Sequence, residues 1–173
     1  KHIFLGRPGE TYFSTSDIGW VVGHSYIIYG PLIYGMATIL YEGLPTRPDA
    51  AIWWSLVEKY KVTSMFSAPT AVRVLKKQDP AALKKHDLSS LRALFLAGEP
   101  LDETTAQWIA ESLGRPIIDN YWQTETGWPI LSLCNGVEPA TSKFGSPGKA
   151  VYGYDVKLID EHTGEELTGP NQK

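Results

Sequence analysis

The sequence has a single cysteine, Cys134, among its 173 residues. One thiol cannot form a disulfide within the chain, which excludes a disulfide-stapled secreted scaffold. No signal peptide precedes Lys1, so we expect a reducing, cytoplasmic location. The four histidines and the cysteine show no metal-ligand spacing, and no Ser/His/Asp triad can be assembled from the sequence.

Basic clusters and the familiar phosphate-binding glycine patterns are also missing. The net charge is −3, and the lysine-containing stretches 76–79 and 84–87 mix both signs, as solvated faces do. This argues against a nucleic-acid partner. Neither G-x-x-x-x-G-K-[ST] nor G-x-G-x-x-G occurs, so other loops would have to hold phosphate. Small molecules remain the expected partners, and the sequence does not indicate an oligomeric state.

A long uninterrupted apolar run is absent as well. Residues 18–40 are apolar enough to consider a membrane span, but Gly-His-Ser at 23–25 and Gly-Pro at 30–31 interrupt them. We therefore predict no membrane association, with a buried helix near 24–34 and a strand near 37–41.

The remaining pattern alternates strands with helices. Further strands are predicted at 12–14, 63–66, 91–97 and 116–120, and further helices at 49–60, 69–77 and 103–113. Asp49 and Asp102 are the predicted N-caps, and Gly114 ends the last helix. Strand–helix alternation is typical of an α/β fold, a parallel-sheet layer with flanking helices.

Two further expectations concern packing and domain organisation. In helix 49–60, Ile52, Leu56 and Tyr60 recur every four residues, with Trp53 and Val57 beside them, and are predicted to face the sheet. Strand-like segments at 130–134 and 151–159 predict a smaller β-rich end. We place the α/β layer at about 20–128 and the β-rich end at about 129–173.

Residues 119–128, Asp-Asn-Tyr-Trp-Gln-Thr-Glu-Thr-Gly-Trp, directly follow an apolar strand. Open α/β sheets bind ligands at the carboxyl ends of their strands. The loop Gly-Glu-Pro at 98–100 leaves the same edge, so the two loops can flank one crevice that fits a nucleotide. Thr124 and Thr126 can donate to phosphate oxygens, and Glu125 can hold a hard cation. The plain alternatives are a polar connection, and indoles that serve only core packing.

Four motifs occur in one order along the chain: 17–26 (Asp-Ile-Gly-Trp-Val-Val-Gly-His-Ser-Tyr), 96–101 (Leu-Ala-Gly-Glu-Pro-Leu), 121–127 (Tyr-Trp-Gln-Thr-Glu-Thr-Gly) and 145–148 (Gly-Ser-Pro-Gly). Together they resemble the adenylate-forming, AMP-binding acyl-CoA synthetases in the short-chain branch. Within that branch the chain is most similar to the members that activate propionate, and the similarity covers essentially the whole sequence.

The resemblance implies an acid–thiol ligase that uses ATP, Mg²⁺ and coenzyme A. A carboxylate and ATP would give an acyl adenylate and pyrophosphate, and coenzyme A would then displace AMP. The resemblance assigns the α-phosphate to Thr124 and the magnesium to Glu125. The ATP site it implies comprises Gly98, Glu99, Pro100, Asp119, Asn120, Tyr121, Trp122, Gln123 and Thr124.

For the acyl pocket, the resemblance implies Val21, Ala97, Gly98 and Trp122. Val22 and Thr46 match positions that face coenzyme A in acetate-activating relatives. Those relatives carry threonine and asparagine there, so this chain departs from the pattern at both coenzyme A candidates.

The same resemblance implies missing parts. The family's phosphate loop would lie before Lys1, and its ribose-binding aspartate, hinge and catalytic lysine would lie after Lys173. We therefore expect a fragment of the large N-terminal domain that is inactive alone. The alternatives are an acetate-activating synthetase, a nucleotide-binding module without catalysis, and a partner-binding domain that uses exposed indoles as anchors.

Overall fold

Five parallel strands form the main sheet of the computed structural model, which describes residues 1–170. The order across the sheet is β2-β1-β3-β4-β5, and all four pairings are parallel. The strands are β1 (Thr11–Ser14), β2 (Ala37–Ile39), β3 (Val62–Ser67), β4 (Ala93–Leu96) and β5 (Ile117–Asp119). The predicted α/β sheet is confirmed, and β1 lies where a strand was predicted at 12–14. The last three residues of the predicted β-rich end, 171–173, lie outside the described range.

Strand β4 shows why the central strands read as continuous apolar runs. All four of its residues are buried. Leu94 and Leu96 belong to the core cluster that includes residues of α2, α3 and α5, while Ala93 and Phe95 belong to the cluster on the other face. A strand covered on both faces has no polar side, which is the pattern seen in the sequence.

The helices flank this sheet. They are a π-helix (Gly23–Tyr29) that continues into α1 (Gly30–Ile33), then α2 (Ile52–Tyr60), α3 (Pro69–Lys76), α4 (Ala81–Lys84) and α5 (Glu103–Leu113). The predicted helices near 24–34, 69–77 and 103–113 are confirmed. Asp102 caps α5 by accepting from the Thr105 backbone N–H at 2.9 Å, and Gly114 ends the helix at φ 60°. The helix and β2 together account for the apolar run, and no helix within 1–170 is long and apolar enough to cross a membrane.

The predicted start of α2 is wrong, and its predicted buried face is correct except at Tyr60. The N-cap is Ala51, and Asp49 instead closes the preceding turn by accepting from the Ala51 N–H at 2.7 Å. Trp53 and Val57 are buried and Ile52 and Leu56 pack partly buried against the core, as predicted. Trp54 is buried as well, whereas Tyr60 is exposed. Apolar residues occur on several faces of this helix, so the spacing of apolar residues in the sequence did not show where the buried face ends.

The end of the described chain contains little regular structure. Strand β6 (Leu131–Ser132) pairs antiparallel with β7 (Lys149–Ala150), and one isolated bridge joins Ile159 to Glu166. The strand predicted at 130–134 is present but short. The strand predicted at 151–159 is wrong, because β7 lies directly before that segment and most residues after Val151 are exposed without a sheet to cover them.

Candidate active site

The carboxyl ends of β1, β3, β4 and β5 all open onto one edge of the sheet. Since β4 and β5 are adjacent and parallel, segment 98–101 and loop 121–128 start side by side, as the sequence predicted. Segments 15–17 and 66–68 add the ends of β1 and β3 to the same edge. Two cavities lie along it.

The larger cavity, which we call the acid-side cavity, has a volume of about 770 Å³. Its lining includes eight residues predicted from the sequence: Val21, Val22, Ala97, Gly98, Trp122, Gln123, Thr124 and Glu125. The predicted acyl pocket therefore falls within one cavity. The other predicted coenzyme A residue, Thr46, lies between β2 and α2 and does not line it.

The smaller cavity, the adenine-side cavity, has a volume of about 520 Å³. Its lining consists of Gly98, Glu99, Pro100, Leu101, Asp119, Asn120, Tyr121, Trp122, Leu131, Gly145 and Pro147. Motif 145–148, which the sequence left without a role, thus contributes to this wall. Gly98 and Trp122 line both cavities, so the two spaces adjoin at a shared boundary.

The Trp122 indole at this boundary is held between two other rings. Phe66 stacks on it with ring centroids 5.4 Å apart and an interplanar angle of 8°, and Tyr26 stacks on it at 5.5 Å and 18°. Phe4 meets it edge-on at 6.3 Å. Each stacked pair adds about 0.5–1.5 kcal/mol beyond area burial. The indole is therefore both a packed residue and a cavity wall, so packing and pocket are compatible roles.

Loop 121–128 is fixed at its base and its tip. At the base, Tyr121 bridges Leu131, with its N–H donating to the Leu131 carbonyl at 3.0 Å. Near the tip, the Tyr26 hydroxyl donates to the Gly127 carbonyl at 2.8 Å. The Thr126 hydroxyl lies within 3.0 Å of the carbonyls of Gln123 and Trp128. Thr126 was a candidate phosphate donor, but its hydroxyl bonds inside the loop.

The side chains of Thr124 and Glu125 take no part in these hydrogen bonds of the loop. Both are exposed, both line the acid-side cavity, and neither side chain has a hydrogen-bond partner among residues 1–170. No group of three or more His, Cys, Asp or Glu residues suited to a metal occurs in that range. Mg²⁺ commonly takes one or two carboxylates plus substrate phosphates, so a lone Glu125 fits a metal that arrives with a nucleotide.

Asp119 and Asn120 close the floor of the adenine-side cavity. The Asn120 side-chain amide donates to the Leu96 carbonyl at 3.0 Å and the Ile118 carbonyl at 3.1 Å, and its oxygen accepts from Ser132 at 2.6 Å. These bonds tie the ends of β4, β5 and β6 together. Burial raises the pKa of the Asp119 carboxyl despite its bond from the Asn120 N–H. The Asn120 amide is thus already engaged within the protein.

The Glu99 carboxylate is also engaged, although the sequence assigned it to ATP. One oxygen accepts from the N–H and hydroxyl of Thr70, and the other accepts from Arg73 at 2.8 Å. Hydrogen bonding by Thr70, assisted by Arg73, holds the Glu99 pKa below its ordinary value.

Sequence reasoning did not assign a role to six residues that line the acid-side cavity: Thr15, Ser16, Asp17, Trp20, Phe66 and Ala68. Five of them lie near the carboxyl end of β3 or directly after β1 or β3. Ligands of open α/β sheets bind at the carboxyl ends of the strands, and the ends of β1 and β3 could have been considered for that reason. The sequence alone does not show the strand order that brings these ends close to β4 and β5. Among residues 1–170, no Lys, Arg or His lines either cavity, whereas Asp17, Glu99, Asp119 and Glu125 contribute carboxylates.

Comparison with known proteins identifies the family. The family model described as "AMP-binding enzyme" matches residues 1–173. The chain belongs to this family. Within it, the chain is 62% identical over 171 residues to the propionate–CoA ligase of Salmonella typhimurium and 60% identical to that of Escherichia coli. Each match covers 99% of this chain and 27% of the ligase, so the chain spans about a quarter of these AMP-binding relatives.

Less similar proteins that match the chain are also acyl-CoA synthetases. The human mitochondrial acyl-CoA synthetase short-chain family member 3 is 44% identical over 160 residues, covering 90% of this chain and 23% of that protein. The crystal structure of Brucella canis acyl-CoA synthetase superimposes with a TM-score of 0.83 at 36% identity, covering 96% of this chain and 29% of that one. The fold of this chain is therefore that of part of an AMP-binding acyl-CoA synthetase.

Proposed function

We propose that this chain is part of a cytoplasmic, ATP-dependent acyl-CoA synthetase that activates propionate through an acyl adenylate. The observation that carries the proposal is the shared boundary of two cavities at Gly98 and Trp122. Two substrates bound on either side of such a boundary have their reacting ends close together. Identity of 60–62% to two propionate–CoA ligases supports the choice of reaction and acid.

In the proposed first step, a carboxylate oxygen of propionate attacks the α-phosphorus of ATP, and the bond to pyrophosphate breaks. In the second, the thiol of coenzyme A attacks the acyl carbon, and AMP leaves. Neither step requires a covalent bond to the protein. The contribution of the chain is to hold both reactants in a near-attack arrangement and to place donors where charge develops.

The residue roles are those implied by the family resemblance, are compatible with this arrangement, and are part of the proposal. The Thr124 hydroxyl donates to an α-phosphate oxygen, and the Glu125 carboxylate would hold Mg²⁺ together with phosphate oxygens. Bound Mg²⁺ supplies neutralisation of phosphate charge. The backbone and apolar surfaces of 98–101 and 119–122 enclose the adenine. Val21, Ala97 and Trp122 enclose the propionate alkyl group. Val22 lies on the side from which coenzyme A approaches, and Thr46, which lines neither cavity, is the second coenzyme A candidate.

Propionate-dependent exchange of radiolabelled pyrophosphate into ATP tests this proposal in the longer protein that carries the chain. We expect exchange that requires Mg²⁺ and propionate, followed by propionyl-CoA formation when coenzyme A is added. A preference for acetate would reassign the acid but not the reaction. ATP binding without exchange under any short-chain acid would instead support a nucleotide-binding module.

A further inference from the structure

Arg73, in the second turn of α3, contacts three parts of the segment that joins β4 to α5. Its guanidinium donates to the Glu99 carboxylate at 2.8 Å, to the Pro100 carbonyl at 2.8 Å and to the Asp102 carboxylate at 3.0 Å. A planar guanidinium can satisfy several acceptors in fixed directions, which a lysine ammonium does not reproduce. One side chain thus holds the outer side of segment 98–101.

The amino end of α3 strengthens this arrangement. The N-cap residue Ala68 offers no side-chain cap, and the Glu99 carboxylate occupies that place by accepting from the Thr70 N–H at 2.8 Å and from the Thr70 hydroxyl. A carboxylate is favoured at a helix amino end because unpaired N–H groups point toward it. Glu99 is therefore fixed by α3 from two directions.

The held segment is the wall of the adenine-side cavity. Gly98, Glu99, Pro100 and Leu101 all line it, and Gly98 has φ +104°, a conformation that side chains rarely adopt. On its inner side the segment is anchored by Leu101, which is buried in the core and whose backbone bonds to the Asp119 carboxylate. On its outer side the contacts of Arg73 with Glu99, Pro100 and Asp102 hold it.

We propose that Arg73 is a positioning residue for nucleotide binding, acting through Glu99 and Pro100 on the wall of the adenine-side cavity. Arg73 lines neither cavity. Glu99, whose two carboxylate oxygens are engaged by α3, contributes through the same clamp and not by donating or accepting at the ligand. This inference rests on the proposed function for its kinetic test but not for its structural test.

The kinetic test compares Arg73→Met, Arg73→Lys and the control Lys77→Met in the longer protein. Lys77 is an exposed cation at the end of the same helix. Arg73→Met is expected to raise KM for ATP on the order of tenfold, with a much smaller change in KM for propionate, because coupled neighbours in one network commonly interact at this level. Arg73→Lys should recover only part of the loss, and Lys77→Met should leave both constants unchanged. Equal changes in both KM values, or none, would overturn the proposal.

A double-mutant cycle separates the clamp from direct ligand contact. If Glu99 acts through Arg73, then Glu99→Gln combined with Arg73→Met raises KM for ATP hardly more than Arg73→Met alone. If Glu99 contacts the nucleotide, the two effects multiply, and the assignment of Glu99 to the clamp is wrong.

Hydrogen exchange of the nucleotide-free protein gives a readout independent of activity. Peptides covering 98–105 should exchange faster in Arg73→Met than in Lys77→Met, while peptides from β3 stay unchanged. If amide hydrogens at 98–105 exchange faster in Arg73→Met but the wild-type protein shows no pyrophosphate exchange into ATP, the clamp is retained and the proposed function is rejected. Unchanged exchange at 98–105 would reject the clamp even in an active synthetase.

Discussion

At the scale of single residues, some polar side chains of the site hydrogen-bond to other protein groups, whereas others have no partner within residues 1–170. Asn120, Thr126 and Glu99 were all candidate ligand-binding residues, and each has its polar atoms engaged by neighbouring protein groups. Thr124 and Glu125 lie in the same loop region without such partners in the described range. Free polar side chains on a fixed loop are the ones available to a substrate.

Glu125→Gln should therefore reduce adenylate formation in the longer protein by at least roughly tenfold, because losing a metal-bound charge at a phosphoryl site removes transition-state stabilisation. The measurement is propionate-dependent pyrophosphate exchange over a range of Mg²⁺ concentrations. Glu42→Gln, which changes an exposed carboxylate outside both cavities, is the control. Near-normal exchange with unchanged Mg²⁺ dependence would remove Glu125 from the metal site.

Ala97→Val should move the acid preference from propionate toward acetate. Ala97 is buried directly after β4 and lines the acid-side cavity, so a larger side chain there would reduce the space for the alkyl group of the acid. Filling the space of about one carbon in a fitted apolar pocket changes discrimination by roughly 1–3 kcal/mol, or about tenfold or more in the ratio of kcat/KM. The Trp122 indole on the same cavity should exclude butyrate.

Ala93→Val provides the matched control for the acid preference. Ala93 is equally buried on the same face of β4 but does not line the cavity. It should lower stability without changing the propionate-to-acetate ratio. The same unchanged ratio in Ala97→Val would show that Ala97 is not part of the acid pocket.

At the scale of elements, local signals were sufficient where the chain carries a distinct start, stop or continuous apolar run. Strand β4, the Asp102 cap and the Gly114 end of α5 are of this kind. Long-range pairing was not visible: the placement of β1 beside β3, and the Phe66 stack on Trp122, join residues from distant segments. The sequence therefore predicted the two loops of the crevice but missed the walls that β1 and β3 contribute.

The buried amide of Asn120 gives a prediction about how these strand ends are joined. Asn120→Ala removes the bonds to the Leu96 and Ile118 carbonyls and the bond from the Ser132 hydroxyl, and each buried group that this leaves unsatisfied costs about 1–3 kcal/mol. We expect a lower midpoint of urea unfolding for the 173-residue chain. Ser132→Ala removes only one of the three bonds and should lower the midpoint less. Equal midpoints for Asn120→Ala and the wild type would mean that this junction does not support the fold.

At the scale of the whole molecule, the two cavities lack the charge that ATP chemistry requires. Their linings, drawn from residues 1–170, include four carboxylates and no lysine, arginine or histidine. A triphosphate brings further negative charge, and its reaction depends on cations that neutralise it. The chain also spans only 27% of the propionate–CoA ligases it matches. The cationic groups of the site are therefore expected from sequence outside this chain.

The isolated 173-residue chain should accordingly fold but not react. Its sheet is covered on both faces by buried clusters, so we expect α/β circular dichroism and a cooperative urea transition. Because none of residues 1–170 places a cationic side chain along either cavity, we expect no detectable exchange of pyrophosphate into ATP with propionate and Mg²⁺. The longer protein assayed in parallel is the positive control. Robust exchange by the purified chain would mean that Thr124, Glu125 and the bound metal suffice for adenylate formation, and the charge deficit inferred from the cavity linings would then be wrong.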